Sequence, residues 1–379
     1  MFLLNPLAIW MSAQRAAIVM IGTVLVTGVW LFEGRPWTHC ALCFVCGSLL
    51  VRWCNRGIAP TYSQRRIDHI SNPNAHVLIT GANTGVGFAT AEQLVELGVF
   101  RVILACRNVQ KGTEAAAALN SKAGRDVAVV VPCDLASLAS VRSAAAQVRA
   151  MLGSTGTLDL VLNAGLSCPQ QNGGTAEKLE LHFGTMHVGH FVLTHELAQV
   201  LYDTKARRGN TEEDRSRIVV LASMNAAYIV GEPEFEKGLT VPKGQFGMVE
   251  YYSRAKLANV LFARGLNARA GEFVLATSCC PGGVASDVWR DQPLASILFN
   301  TIFIIYLRPN REGAFTPLHC LLSDKGVVAG EFHADTAVYA PAKPRLIAGA
   351  KSLLRSDVEA DKLWKLSEKF VKSNTCSLL

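Results

Sequence analysis

The 379-residue sequence contains few charged residues, 18% of the total, and few aromatic residues, 8%. It lacks collagen-like triplets and internal repeats of about 20–50 residues. Because half of the residues are apolar, a disordered chain and a long charged coiled coil are excluded. The first 66 residues lack acidic residues apart from Glu33, yet they hold five of the seven net positive charges. A nucleic-acid-binding protein would carry its basic residues on the folded domain, so no nucleic-acid partner is predicted.

The N-terminal region has the pattern of a membrane anchor. Ala16–Phe32 is 17 residues without a charge, and as a helix it would span about 26 Å, close to the bilayer core. The alternative is a cleaved signal peptide, but no charge precedes Arg15 and no small-x-small cleavage site follows. Most nearby arginines follow the apolar run, so the positive-inside rule places the folded domain in the cytosol, at the endoplasmic reticulum or another organelle surface. We assign residues 1–70 to this transmembrane helix and its linker. A second apolar run, Cys40–Val51, is short and predicts an interfacial or re-entrant segment.

The eleven cysteines favour thiols over disulfides. Cys40, Cys43 and Cys46 have the spacing of a metal or iron–sulfur site, but the residues between them are apolar, which favours juxtamembrane thiols or palmitoylation. No metal site is predicted. The C-terminal tail, 373–379, ends in a C-a-a-X pattern at Cys376 that indicates prenylation, with a weak peroxisomal address as the alternative. Six further cysteines lie within the main domain: Cys106, Cys133, Cys168, Cys279, Cys280 and Cys320.

Residues 71–372 alternate between β-branched apolar runs and Ala-rich helical stretches. The predicted strands are His76–Thr80, Arg101–Ala105, Val127–Val131, Leu158–Leu162, Ile218–Ala222 and Phe273–Cys279. The predicted helices are Phe88–Leu97, Lys111–Lys122, Val141–Leu152, Gly184–Tyr202 and Tyr251–Ala268. Such alternation predicts an α/β fold, a doubly wound Rossmann-type parallel sheet with helices on both faces.

A glycine-rich turn, TGANTGVG, joins the first strand to the first helix. Glycines in this context allow a tight turn and let a pyrophosphate approach the helix N-terminus, where N–H groups and the helix dipole attract it. The predicted contacts are Gly81, Asn83, Thr84, Gly85, Val86 and Gly87.

Further motifs follow the later strands in a fixed order. They are Asp134, Asn163-Ala164-Gly165, Ser223, Tyr252-x-x-x-Lys256 and Pro281-Gly282. Together with the turn they resemble the short-chain dehydrogenase/reductase superfamily over about residues 76–370. The segments ILACRN, DLAS, HVGHFVLT, SRAKLANVLFAR and LWKLSEKF resemble its retinol dehydrogenase-like and protochlorophyllide reductase-like branch.

The end of the second strand indicates NADP(H). An NAD-preferring enzyme needs an acidic residue there for the ribose 2′-hydroxyl, and Cys106 cannot serve. Arg107 can pair with a 2′-phosphate, with help from Lys111. The alternative is that Arg107 is a surface charge. Thr84 departs from the resemblance, because many NADP-using members carry a basic residue near that point.

The resemblance also implies contacts along the rest of the cofactor. Asp134 would accept a hydrogen bond from the adenine amino group, or alternatively cap the next helix. Asn163, Ala164 and Gly165 would line the adenosine ribose, and Ser286 would contact the nicotinamide carboxamide. The remaining implied contacts are Leu135, Tyr252, Lys256, Pro281, Gly282 and Val284.

Tyr252 and Lys256 are four residues apart and share one helix face. A free phenol has a pKa of about 10, and a nearby ammonium and the oxidised nicotinamide would favour the phenolate. Tyr252 can then exchange a proton with the substrate oxygen while a hydride moves to or from the cofactor. The resemblance implies that Lys256 holds the nicotinamide ribose and that Ser223 orients the substrate oxygen. Tyr251, five residues from Lys256, lies off this face.

One position departs from the resemblance. The family usually has Asn where Met186 stands, and that Asn helps to hold a water in a proton relay to the lysine; methionine cannot hydrogen-bond comparably. Backbone carbonyls and water, or His187, could compensate; otherwise turnover would be slow or lost. His187 and His190 are interpreted as packing residues.

The substrate side contains an apolar run, Leu294–Leu307, that is either a buried helix or a lid dipping into the bilayer. We therefore predict a membrane-associated, NADP(H)-dependent oxidoreductase for a lipophilic alcohol or carbonyl, such as a retinoid, sterol or fatty aldehyde. Two alternatives stay open, a C=C reductase of the protochlorophyllide reductase type and an NADP(H)-binding scaffold or sensor with little turnover. Homodimer formation is also left open.

Overall fold

The computed structural model describes residues 37–166, 173–229, 231–241, 248–284, 307–339 and 353–373. Five features singled out in the sequence lie outside these ranges, in whole or nearly so: the anchor Ala16–Phe32, Cys168, Ser286, the run Leu294–Leu307 except for its last residue, and Cys376.

An eight-stranded sheet forms the centre of the fold. Its order is β3-β2-β1-β4-β5-β6-β7-β8, and all neighbours are parallel except β7 and β8, which are antiparallel. The strands are β1 Ala75–Thr80, β2 Arg101–Cys106, β3 Ala128–Pro132, β4 Thr157–Leu162, β5 Ser216–Leu221, β6 Val274–Cys280, β7 Phe332–Ala334 and β8 Ala337–Val338. The predicted Rossmann-type sheet is therefore confirmed.

Ten helices of eight or more residues occur in the described part of the chain. They are α1 Trp37–Asn55, α2 Gln64–Ser71, α3 Gly85–Glu96, α4 Val109–Ala123, α5 Leu138–Leu152, α6 Gly189–Glu196, α7 Ala198–Arg208, α8 Met248–Ala270, α9 Phe315–Leu322 and α10 Asp357–Ser373. They cover both faces of the sheet, so β1, β4, β5 and β6 are buried along their whole length. Two apolar clusters result, with Leu78 in one and Val77 in the other, because successive residues of β1 point to opposite faces.

Two features differ from the sequence prediction. Strands β7 and β8 contain three and two residues, too few to produce a readable hydrophobic period, and they were not predicted. The predicted helix Gly184–Tyr202 is broken into a π-helical turn, Gly184–Val188, followed by α6 and α7, which meet at Leu197. Both breaks preserve the apolar pattern, so periodicity alone cannot reveal them.

Helix α1 exposes large apolar side chains, including Leu42 and Leu49 at 63% and 64% exposure. It contains the run Cys40–Val51, which was predicted as an interfacial or re-entrant segment. Near its C-terminal end, Arg52 forms an ion pair with Glu312 at 2.6 Å, and the Gly57 N–H donates to the same carboxylate. Within the described ranges, no helix combines the length and apolar character needed to cross a bilayer.

Helix α2 is attached to the sheet by buried charges. Arg66 is fully buried and lies 3.2 Å from Asp159 of β4, whose carboxylate also contacts Arg208 at 2.9 Å. These arginines hold the pKa of Asp159 well below its usual range, against the opposing effect of burial. The assignment of residues 1–70 to an anchor and linker, 71–372 to the main domain and 373–379 to a tail stays a prediction.

Three buried histidines and the half-buried His69 predict a loss of stability in acid. Burial lowers the pKa of His187 to about 3 and those of His69, His190 and His333 to about 4. In the unfolded chain these histidines bind protons with a pKa of about 6.5. The contribution of these histidines to stability should thus be constant above about pH 6.5 and fall as the pH decreases toward 4, by up to about 1.4 kcal/mol per pH unit for each histidine. We expect a lower urea midpoint at pH 5 than at pH 7, and a smaller difference for His333→Gln. Equal midpoints at the two pH values would contradict this expectation.

Candidate active site

The carboxyl ends of the parallel strands meet at one edge of the sheet, and the predicted site residues follow them there. Gly81 follows β1, Arg107 follows β2, Asp134 lies beyond β3, Asn163 follows β4, Ser223 lies just beyond β5 and Pro281 follows β6. The topology therefore gathers residues that are far apart in the chain, such as Gly81 and Pro281, which are 200 positions apart.

The glycine-rich turn has the backbone that its sequence requires. Gly81 and Gly85 adopt left-handed φ values of +65° and +60°, which residues with a Cβ rarely adopt. At Gly87 a Cβ would lie 2.5 Å from Asn163 Nδ2 and 2.6 Å from the Gly81 carbonyl oxygen, so only glycine fits. Helix α3 begins at Gly85, with Thr84 as its N-cap residue. Its N-terminus therefore lies at the turn, as an anion site requires.

Asn163 and Ala164 brace this turn from the end of β4. The Asn163 amide donates to the Thr80 carbonyl at 2.9 Å, and the Ala164 N–H donates to Thr80 Oγ1 at 2.9 Å. The predicted role of this segment was to line the ribose. The Asn163 side-chain amide also shapes the turn, and the contact of this segment with the ribose stays a prediction.

His190 completes the brace, and its position was not anticipated from the sequence. Its Nε2 lies 2.9 Å from Thr80 Oγ1 and its Nδ1 lies 2.8 Å from the Met186 carbonyl oxygen. Burial lowers the pKa of His190 to about 4, so the ring is neutral at pH 7. A proton on Nδ1 satisfies both contacts, because Nδ1 then donates to Met186 while Nε2 accepts from Thr80. His190 thus links the glycine-rich turn to the π-helical turn.

The end of β2 places Cys106 and Arg107 in contrasting surroundings. The Cys106 thiol is buried beneath the glycine-rich turn, where its sulfur accepts hydrogen bonds from the backbone N–H groups of Ala82 and Asn83, and burial raises its pKa to about 11. Arg107 is exposed and forms no ion pair with any residue of the described ranges. Lys111 is also exposed, in the first turn of α4. A cationic group without an internal partner at this strand end fits a phosphate on the adenosine ribose.

Asp134 is half-buried and accepts a hydrogen bond from the Ala136 N–H at 3.0 Å. The N-cap of α5 is Ser137, so the alternative role of Asp134 as that cap is wrong. Leu135 is buried, and its carbonyl oxygen lies against Gly189, where a Cβ would approach it to 2.5 Å. Leu135 therefore fixes α6 against this edge of the sheet.

Tyr252 and Lys256 lie on α8 with the predicted shared face. The Lys256 ammonium lies 5.7 Å from the centre of the Tyr252 ring. The neighbouring Tyr251 ring instead faces Arg254, at 5.5 Å. Lys256 is buried and donates to the Leu221 carbonyl at 3.0 Å. Burial lowers the pKa of Lys256 to about 8, so the ammonium is still the main form at neutral pH.

Ser223 begins a 3-10 turn, Met224–Tyr228, that packs against α8. Its hydroxyl oxygen accepts a hydrogen bond from the Asn225 N–H at 3.2 Å. This contact orients the hydroxyl at the end of β5, on the side of the sheet that carries Tyr252 and Lys256.

Met186 lies beside the lysine. It is fully buried in the π-helical turn. A Cβ on Gly165 would lie 3.1 Å from Met186 Sδ and 3.4 Å from Lys256 Nζ, so the sulfur and the ammonium border the same small space. His187 packs elsewhere: its Nε2 lies 2.8 Å from Ser367 Oγ, and its ring contacts Phe183 and Phe262.

The last predicted contacts lie in the loop after β6, Pro281–Val284. Gly282 adopts a φ of +85°. Val284 packs against Gly313, where a Cβ would approach Val284 Cγ2 to 2.7 Å and Val86 Cγ2 to 3.1 Å. The loop and the glycine-rich turn therefore both pack against Gly313, so the two sides of the candidate site meet there.

Comparisons with known proteins agree with this architecture. Residues 75–233 match the family model of the short chain dehydrogenases. The chain is similar to retinol dehydrogenase 12 of Mus musculus, with 31% identity over 79% of this chain and 87% of that relative. It is also similar to dehydrogenase/reductase SDR family member 13 of Homo sapiens, with 35% identity over 77% of this chain and 72% of that relative.

Two solved structures share the fold. An uncharacterized protein from Mycobacterium paratuberculosis has a TM-score of 0.56 and 27% identity, covering 83% of this chain and 96% of that one. An NADPH-bound carbonyl reductase from chicken fatty liver has a TM-score of 0.52 and 22% identity, covering 70% of this chain and 98% of that one.

Proposed function

Because the chain belongs to the short-chain dehydrogenase/reductase superfamily, in its retinol dehydrogenase-like branch, we propose that it is a membrane-associated, NADP(H)-dependent oxidoreductase acting on a lipophilic alcohol or carbonyl. Membership makes it a hydride-transferring oxidoreductase with a nicotinamide cofactor. The observation that carries the proposal is the buried Lys256 ammonium, 5.7 Å from the Tyr252 ring, at the edge of the sheet that carries the glycine-rich turn.

The chain's own residues supply the proton chemistry. When bound, the nicotinamide dinucleotide accepts or supplies the hydride. In the reducing direction, the Tyr252 hydroxyl gives its proton to the carbonyl oxygen of the substrate, and in the oxidising direction the phenolate takes it back. The Lys256 ammonium favours the phenolate by charge. Ser223 donates a hydrogen bond to the substrate oxygen and holds it beside Tyr252.

Each part of the cofactor has a proposed partner. The turn Gly81–Gly87 with the N-terminus of α3 would bind the pyrophosphate, and Arg107 the 2′-phosphate. Asp134 would accept from the adenine amino group. Asn163, Ala164 and Gly165 would line the adenosine ribose, and Lys256 would hold the nicotinamide ribose. Pro281–Val284, with Ser286 beyond it, would contact the nicotinamide.

Two observations support a lipophilic substrate and a membrane location. A helix surrounded by water carries polar side chains on its exposed face, whereas α1 exposes large apolar side chains such as Leu42 and Leu49. The relatives are named as retinol dehydrogenases, and retinol is lipophilic. The transmembrane helix at Ala16–Phe32 and the cytosolic orientation of the main domain belong to this proposal.

A substrate panel tests the proposal. The full chain in liposomes would be assayed with NADPH and NADP⁺ against retinoid, steroid and fatty alcohols and carbonyls, polar sugars and hydroxy acids, and conjugated enones. We expect turnover of at least one lipophilic alcohol or carbonyl and none of the polar compounds. Turnover of polar compounds alone would exclude the lipophilic substrate, and saturation of an enone C=C bond would favour the C=C reductase. Release of the chain from membranes by carbonate would contradict the anchor.

A second candidate, NADP(H) binding with little turnover, is favoured by Met186. Its sulfur borders the Lys256 ammonium where the family usually has an amide. If slow proton delivery limits the enzyme, Met186→Asn should raise kcat by about tenfold or more, with a smaller change in NADPH affinity. Met186→Leu is the matched control, because it keeps an apolar side chain there. Tight NADPH binding, with no turnover by the wild type or Met186→Asn, would establish the binding protein instead.

A further inference from the structure

Arg308 is a buried arginine that contacts the loop Pro281–Val284. Only 3% of the residue is exposed. Its backbone N–H donates to the Gly283 carbonyl at 2.8 Å, and its backbone forms a parallel bridge with Val284. The main chain of Arg308 is therefore attached to the loop.

The guanidinium extends the contact to the other half of the loop. Its Nη1 lies 3.4 Å from the Pro281 carbonyl oxygen and 2.5 Å from Asp335 Oδ1. A Cβ on Gly282 would lie 2.5 Å from the same Nη1 and 2.7 Å from Cζ. The guanidinium thus packs directly against the Gly282 backbone, where the side chain of any other residue would collide with it.

Asp335 is itself held in place. It occupies the tight turn between β7 and β8, where Asp335 and Thr336 have φ values of +50° and +63°. Such values are unfavourable for residues with a Cβ and persist where the surroundings enforce them. The register of β7 with β6 pairs Ala334 with Cys280, so the turn is tied to the strand that leads into the loop.

A buried ion pair is a poor source of stability, because desolvation of both charges offsets their attraction, but it can specify one arrangement. We propose that Arg308 and Asp335 are positioning residues that hold the loop Pro281–Val284 in the shape that receives the nicotinamide end of the cofactor. This inference rests on the proposed function, and neither residue is assigned a contact with the reacting atoms.

Two ligands separate positioning from general destabilisation. NADPH reaches both ends of the site, whereas adenosine 2′,5′-bisphosphate has the adenosine end and no nicotinamide. We expect Asp335→Asn and Arg308→Lys to weaken NADPH binding by about tenfold, the range of a lost hydrogen bond to a charged group. Binding of adenosine 2′,5′-bisphosphate should change less than about twofold. Affinities would be measured on the full chain by quenching of tryptophan fluorescence.

Asp324→Asn is the matched control. Asp324, in the loop after α9, forms an ion pair with Arg217 of β5 at 3.0 Å, and its side chain is more exposed than that of Asp335, 38% against 13%. This variant should leave the ratio of the two affinities unchanged. Arg308→Lys keeps the charge and would carry the test if Asp335→Asn did not fold.

The outcomes distinguish the positioning role of Arg308 and Asp335 from the proposed function on which it rests. Equal weakening of both ligands, or of neither, in the Asp335 and Arg308 variants would overturn the positioning role alone. A wild-type chain that binds neither ligand would overturn the proposed function and the positioning role together.

Discussion

Replacing Tyr252 by phenylalanine should lower turnover by about 10³-fold while leaving NADPH affinity within about twofold, since general acid–base groups contribute on this scale. The ring stays in place beside Lys256, and only the hydroxyl that exchanges the proton is lost. Steady-state rates on the most active compound of the panel measure the first effect, and tryptophan quenching by NADPH measures the second.

Tyr251→Phe is the control for this experiment. Tyr251 carries the same phenol one residue earlier on α8, but its ring faces Arg254 and not Lys256. Its loss should change turnover less than about threefold, because the phenol has no role in proton transfer. Equal activity of Tyr252→Phe and the wild type would remove the proposed mechanism, whereas equal losses in both variants would indicate damage to the helix.

Reversing the charge at Arg107 should change the preferred cofactor. Arg107→Glu would lose an ion pair with the 2′-phosphate and place a carboxylate beside it. We expect kcat/KM with NADPH to fall by about 10²-fold or more, because charge-assisted contacts are worth roughly 1.5–3 kcal/mol before the added repulsion. Activity with NADH, which carries a 2′-hydroxyl instead, should change less than about threefold. The ratio of the two kcat/KM values is the measurement.

Lys325→Glu controls for net charge. Lys325 is exposed on the loop after α9 and changes the charge of the chain by the same amount. It should leave the cofactor ratio unchanged. Equal losses with NADPH and NADH in Arg107→Glu would contradict the 2′-phosphate assignment and return Arg107 to the role of a surface charge.

Local patterns in the sequence predicted most of the sheet. Strands β1 to β6 are runs of β-branched and apolar residues whose period can be read directly, and their positions differ from the predictions by only one or two residues at either end. The shared face of Tyr252 and Lys256 follows from the helical period alone, which the ammonium-to-ring distance of 5.7 Å agrees with. These features depend on neighbours within a few positions of the chain.

Other features depend on residues that meet only after folding. His190 meets Thr80, 110 positions away, and the Thr80 hydroxyl in turn accepts from the Ala164 N–H, 84 positions away. A histidine in an apolar helix gives no sign of such a role, because packing and bridging require the same residue type at the same spacing.

The sequence by itself determined the parallel α/β sheet, the glycine-rich turn and the pairing of Tyr252 with Lys256, because each is encoded by periodicity or backbone requirements within a short segment. Only the tertiary structure decided that Cys106 lies beneath the turn, that Met186 borders Lys256 and that Arg308 meets Asp335 against Gly282. The physical reason is that burial, charge pairing and close backbone approach are properties of the packed sheet edge, where residues distant in the chain become neighbours.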